Sequence, residues 1–322
     1  GVYHKVTCKQ FPGFVMPQAE KEQLYLSPVS NTATGDFAAV MAKASILYKD
    51  YDSDFAKHCL KVAKDAWKYL EASPSGAGFK NPDEIVTGEY PDGSDLDERY
   101  WASLELFKAT GEEKYKAYFE ESISKGIKHG YGWELVSSYG NMAYLTLSEE
   151  DKKEELKNIV TEAIIKEADS IVSEVLKDGY MCNLGADKYE WGSNMNVCNR
   201  ARMLLDAYRL SGEEKYYNGA YDQLSYLLGQ NSISYSFVTG FGSLRPKNTH
   251  HRPSIATGYT VPGMVVGGPN SNLQDPYAEA ALKGNPPAKC YVDNDQSYST
   301  NEVTIYWNSP FTYLLSFIMN KK

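Results

Sequence analysis

The stretch from Tyr291 to Ser309, YVDNDQSYSTNEVTIYWNS, sets three carboxylates, Asp293, Asp295 and Glu302, among Tyr291, Tyr298, Tyr306 and Trp307. A carboxyl held against aromatic rings is partly desolvated. Burial disfavours its charged form, so it keeps a proton nearer neutral pH, as a general acid must. Spacing makes Glu302 a candidate; an acid placed structurally near a helix start is the competing reading. A second stretch, SFVTGFGSLRPKNTHHR, ends in His250, His251 and Arg252 and contains glycines that permit tight loops. His and Arg beside aromatics can hydrogen-bond a hydroxyl-rich ligand or hold an acid's partner. The alternative is an Arg that clamps a loop carboxylate, with the His pair incidental. Two adjacent His without a third ligand nearby make a poor metal site.

These residues need a scaffold, and the periodicity supplies a helical one. Leu156, Ile159, Val160, Ala163, Ile164, Ala168, Ile171, Val172 and Val175 recur at steps of three and four. So do Tyr217, Ala220, Tyr221, Leu224, Leu227 and Leu228, and Phe55, Cys59, Val62, Ala66 and Tyr69. A weak repeat links LFKATGEEKYKAYFEES, from Leu106, with AYRLSGEEKYYNGAYDQ, from Ala207. Each predicts a helix ending at Gly and a following helix with an acidic first turn. The spacing predicts helices over 32–49, 53–72, 95–110, 113–126, 137–148, 149–175, 193–211 and 213–230, and a ninth over 302–319. Long Gly/Pro/Asn/Ser-rich connections, 73–94, 177–192 and 231–300, carry most of the aromatic and polar residues. Loops this long are usually functional. No stretch reads as a linker, so 1–322 is expected to be part of one domain. Hairpins with a repeat can close into a toroid, typically of twelve helices. Nine predicts a ring short of its first three or so.

The composition narrows the partners. The 322 residues hold 33 Lys+Arg against 42 Asp+Glu, a net charge of −9. Neither nucleic acid nor an anionic membrane suits such a surface. No apolar run reaches membrane-spanning length, and the opening residues are not expected to act as a signal peptide. The 26 Tyr and 5 Trp favour stacking on flat, neutral, hydroxyl-rich ligands. Cys8, Cys59, Cys182, Cys198 and Cys290 form no CxxC pair and are expected as buried thiols.

The stretch Tyr291 to Ser309 resembles the C-terminal signature of glycoside hydrolase family 9, the inverting endoglucanases. It fits at Tyr291, Asp293, Tyr298, Glu302, Thr304, Asn308 and Ser309. The stretch ending at His250 and Arg252 resembles the family's other signature. It departs from it at Leu244, where Asn, Lys or Arg is usual, and at Thr249, where Pro or an aliphatic residue is usual. Further likeness lies in YHKVTCKQFPGF near the start, SPVSNTATGDFAAVMAKAS from Ser27, PGMVVGGPN from Pro262 and LQDP from Leu273. The resemblance covers essentially the whole chain. It is strongest to the subgroup with an immunoglobulin-like module ahead of the catalytic domain.

The resemblance implies an all-α (α/α)6 barrel, incomplete here, with an open cleft. It implies hydrolysis of a β-1,4-glucan with inversion, with Glu302 as general acid and Asp293 in the catalytic set. His250, Arg252, Tyr298, Trp307, Trp191 and Trp133 would contact substrate. Core packing is the competing reading for each Trp. Ser94, Asp97 and Glu98, in DGSDLDE, resemble calcium-binding positions, against the plainer reading of an acidic first turn. The family's Asp-Ala-Gly-Asp motif, which carries the catalytic base, does not occur here. Inverting cleavage needs two carboxyls. The base is therefore expected from an N-terminal segment of the same enzyme, whether continuous or a separate clipped chain. A secreted enzyme acting on extracellular glucan follows. The rivals are an exo-acting glucosaminidase, a xyloglucan or mixed-linkage glucanase, and a non-catalytic glucan-binding remnant.

Overall fold

A computed structural model describes residues 1–76 and 79–321. Twelve α-helices dominate the described residues. The strands are two antiparallel ladders of two residues each. β1 (Val2–Tyr3) pairs with β4 (Val29–Ser30), and β2 (Val6–Thr7) with β3 (Tyr25–Leu26). Residue contacts divide the chain into two units, 1–12 with 21–163 and 13–20 with 164–322.

The first unit holds α1 (Asn31–Leu47), α2 (Ser53–Ala72), α3 (Leu96–Thr110), α4 (Glu113–Ser124), α5 (Ser137–Leu145) and the start of α6 (Glu154–Val175). The Ser30 side chain accepts the Ala33 N–H and starts α1. Buried Ala38, Ala39 and Ala42 let α2 and α3 lie close to α1. Gly35 is required by sterics: a Cβ there would fall 2.5 Å from the Cβ of Glu98 on α3. Arg99 ends α2 by donating to the Leu70 and Ser73 carbonyls while pairing with Asp95 at 2.8 Å.

The second unit is built on α7 (Ser193–Ser211), α8 (Glu214–Leu227) and α12 (Ile305–Asn320), which pack on one another, with the rest of α6. Three short helices lie in the long connection: α9 (Arg252–Thr257), α10 (Pro276–Leu282) and α11 (Tyr298–Asn301).

The sequence repeat is a structural one. Gly111 and Gly212 both adopt left-handed backbone (φ 69° and 71°) and close α3 and α7. In each case a hydroxyl before the Gly, Thr110 or Ser211, accepts the N–H of the residue after it. Lys114 and Lys215 lie over the rings of Tyr115 and Tyr216. The eight helices expected before residue 231 are found with ends shifted by a few residues, the largest shift being at the start of α6. The ninth begins at Ile305, so Glu302 precedes it. The short helices escape periodicity because, at four to seven residues, they are too short to show an apolar stripe; Asp275 starts α10 by accepting the Ala278 N–H. All five cysteines are buried free thiols. No helix among the described residues is long and apolar enough to cross a membrane.

Candidate active site

Glu302 sits between α11 and α12, held by main chain on two sides. His250 N–H donates to the Asn301 carbonyl and Gly267 N–H to the Glu302 carbonyl, each at 2.9 Å. The first contact belongs to a parallel bridge between His250 and Glu302. Gly268, at φ 90°, donates to Thr300 and passes so close to Asn194 that a side chain would not fit. Residues scattered from 191 to 302 therefore meet at one place.

Burial pushes the Glu302 carboxyl up to about 7. Two influences act in the opposite direction: the Trp191 Nε1–H, which donates to Oε2 at 3.3 Å, and the charge of Arg252. Trp191 is 37% exposed and lies at a tilt to Tyr298, with ring centroids 5.5 Å apart. Tyr298 meets the edge of His250 at 5.7 Å, and His250 meets Phe14 at 5.3 Å. His250 Nδ1 lies 2.6 Å from the Asp295 carbonyl, so Nδ1 carries the proton. Burial holds the His250 pKa below its ordinary value, leaving Nε2 as an acceptor. His251 turns instead to Ser254 Oγ. The two adjacent histidines do separate jobs.

One expectation is corrected, that of Trp307, and a second residue has a structural role. Asp293 is engaged between loops. Its carboxylate accepts from Tyr235 OH, from the N–H groups of Lys247 and Asn248 and from the Asn301 amide, so it ties loops together. Trp307 does not present a face to ligand. It is 2% exposed and packs beneath Gly192 and Gly267, where a Cβ would stand 3.0–3.1 Å from the indole. Glu302, His250, Arg252, Tyr298 and Trp191 form one group in the second unit.

Trp133 belongs to the first unit, 37% exposed and edge-on to Tyr90 at 5.7 Å. The acids proposed for calcium lie there too. Glu98 is 1% exposed with Oε2 unpartnered, and Asp36 Oδ1 is also buried and unpartnered. Burial, then the charge of Asp97, pushes Asp36 to about 7 and Glu98 to about 10. Asp97 accepts the Val136 N–H, and Ser94 Oγ accepts the Leu96 N–H. Buried, uncompensated hard oxygens fit calcium in chemistry. No group of three His, Cys, Asp or Glu among the described residues is drawn together as a ready metal site. Asp36 escaped sequence reasoning because only the packing of α1 on α3 brings it to Glu98. Its signal was an acid one residue after the helix-contact glycine in TGDF.

The model of the glycosyl hydrolase family 9 matches residues 4–315. A cellodextrinase of Butyrivibrio fibrisolvens is 37% identical over 99% of this chain and 61% of its own length. A xyloglucan-specific endo-β-1,4-glucanase of Bacteroides ovatus is 36% identical over 98% of this chain and 56% of its own length. The crystal structure of a thermostable endoglucanase variant from Alicyclobacillus acidocaldarius superposes with a TM-score of 0.94 at 37% identity. That match covers all of this chain and 61% of that one. The chain thus spans about three-fifths of the length of these relatives. Its helical fold is that of the matching part of an (α/α)6 barrel. A match across nearly every residue, with the acid, the tryptophan and the histidine meeting at one place, settles the family: the chain belongs to glycosyl hydrolase family 9.

Proposed function

We propose that this chain carries the acid half of an endo-acting β-1,4-glucanase that cleaves with inversion. The observation that carries the reading is Glu302, a half-buried carboxyl holding its proton up to about pH 7 beside an exposed indole. Glu302 protonates the departing glycosidic oxygen. As it becomes a carboxylate, the Trp191 N–H and the charge of Arg252 stabilise it. Trp191 and Tyr298 offer rings to the sugar faces, as does Trp133 in its own unit. His250 Nε2 accepts a sugar hydroxyl.

Inversion needs a second carboxylate, roughly 6.5–9.5 Å away, to activate water. The base is proposed to come from a further segment of the same enzyme, both units forming one catalytic domain. Calcium is proposed as a structural ion at Ser94, Asp97 and Glu98, with the buried Asp36 carboxyl nearby, and the enzyme is proposed to be secreted to reach its polymer. The Bacteroides relative makes decorated glucan the second substrate reading.

The test is Glu302→Gln in the full-length enzyme. Turnover of cellotetraose should fall by about 10³-fold while binding survives, and the wild type should release the α-anomer first by NMR. Retained turnover would refute the acid assignment, and a β-anomer would refute inversion. Product profiles on cellulose and xyloglucan decide between the substrates.

A further inference from the structure

The general acid hangs from α11, a single turn of four residues fastened at both ends. At its start, the buried Asp275 carboxylate accepts from Ser297 Oγ, Ser299 Oγ and Ser299 N–H. At its end, Asn301 is fully buried and every polar atom it owns is used. Its N–H donates to Ser297 O and its carbonyl accepts the His250 N–H. Its Nδ2 donates to Asn248 O at 2.6 Å and to Asp293 Oδ1 at 3.0 Å. Its Oδ1 accepts the Tyr291 hydroxyl at 2.7 Å.

One carboxamide therefore joins the segment carrying His250, the segment carrying Asp293 and the residue next to the acid. Asp293 reinforces the joint by gripping the Lys247 and Asn248 N–H groups. A fully satisfied buried polar network admits one arrangement, because any shift leaves a buried donor or acceptor without a partner.

We infer that Asn301 is a positioning residue: through its buried carboxamide it fixes Glu302 in register with the His250 segment. The inference rests on the reading of Glu302 as general acid. Without the carboxamide, the acid loses its set position and its carboxyl gains water. Proton donation then suffers more than substrate binding, and the carboxyl releases its proton at lower pH.

The experiment compares Asn301→Ala and Tyr291→Phe with Glu302→Gln and a distant control, Gln223→Ala, in the full-length enzyme. Gln223 is buried, but it bonds Asn183, Met181 and Gly219, away from the acid. For Asn301→Ala, kcat on cellotetraose should fall by at least about tenfold, on the scale of a misplaced catalytic group. KM should change less than about threefold, and the alkaline limb of kcat/KM should move to lower pH. Tyr291→Phe should act in the same direction and less. Gln223→Ala should lower Tm and leave limb and kcat in place. If Glu302→Gln keeps turnover and the limb, the acid reading itself fails. If Glu302→Gln is inactive while Asn301→Ala and Tyr291→Phe keep wild-type kcat and limb, the positioning role alone is overturned. Should Asn301→Ala not fold, an unmoved limb in Tyr291→Phe overturns it.

Discussion

Replacing Trp191 by Phe keeps a ring in place and removes one N–H. That N–H donates to Glu302 Oε2 at 3.3 Å and favours the charged carboxyl, against the burial that raises it to about 7. Hydrogen bonds to charged groups contribute about 1.5–3 kcal/mol. This one is long, and the indole is more than one-third exposed, so about half the lower figure up to the lower figure itself is appropriate. One pH unit corresponds to about 1.36 kcal/mol, so the shift is about 0.5–1 unit. Its sign follows from what is removed. Loss of a donor to the carboxylate favours the protonated form, so the pKa rises and the acid stays armed to higher pH. The alkaline limb of kcat/KM, which reports the free enzyme, should therefore move upward by that amount in the full-length enzyme acting on cellotetraose. A limb that stays put, or moves downward, would refute the claim that the indole N–H tunes the acid.

Three further outcomes follow from the geometry. Asp293→Asn sets an amide donor against several backbone and side-chain donors; stability should fall by about 1–3 kcal/mol by denaturant titration, yet turnover should stay well above that of Glu302→Gln. An inactive variant with unchanged stability would show Asp293 to be chemical after all. Gly192→Ala forces a side chain at φ 81° against the Trp307 indole. Tm should drop and KM for cellooligosaccharides should rise as Trp191 is displaced; wild-type values of both would exclude this packing. In chelator, Tm should fall as pH rises from about 4 toward 7 and beyond. The unfolded chain releases the Asp36 and Glu98 protons near 3.8 and 4.5, whereas the folded chain holds them to about 7 and about 10. Calcium at about 100 times its Kd should add about 2.7 kcal/mol at neutral pH and flatten that slope. A Tm indifferent to millimolar calcium at pH 7 would remove the ion from the account.

The helical hairpins were legible because their punctuation is local. Thr110-Gly111 and Ser211-Gly212 end one helix and launch the next without help from elsewhere. Helices α9 to α11 were not legible, since at four to seven residues they are too short to show a periodic apolar stripe. Glu302 stood out through its aromatic surroundings and its motif. Its hydrogen bond to Trp191 spans 111 positions, and no local pattern encodes it. Trp307 misled because an aromatic beside an acid does not declare which way it faces. Only the two glycines packed on its indole show that it turns inward. Asp293 is hard to read for a related reason: apart from nearby Asn301, its donors come from residues more than forty positions earlier.

That indole has one more consequence. Gly192 adjoins the tryptophan that donates to the acid, and Gly267 holds the acid's own carbonyl; both rest on Trp307. The gap between donor and acid is thus gauged by the thickness of a single bicyclic plate. Across homologous enzymes, positions 192, 267 and 307 should drift in step. A slimmer residue at 307 should be tolerated only where one of the glycines has gained a methyl group to fill the space.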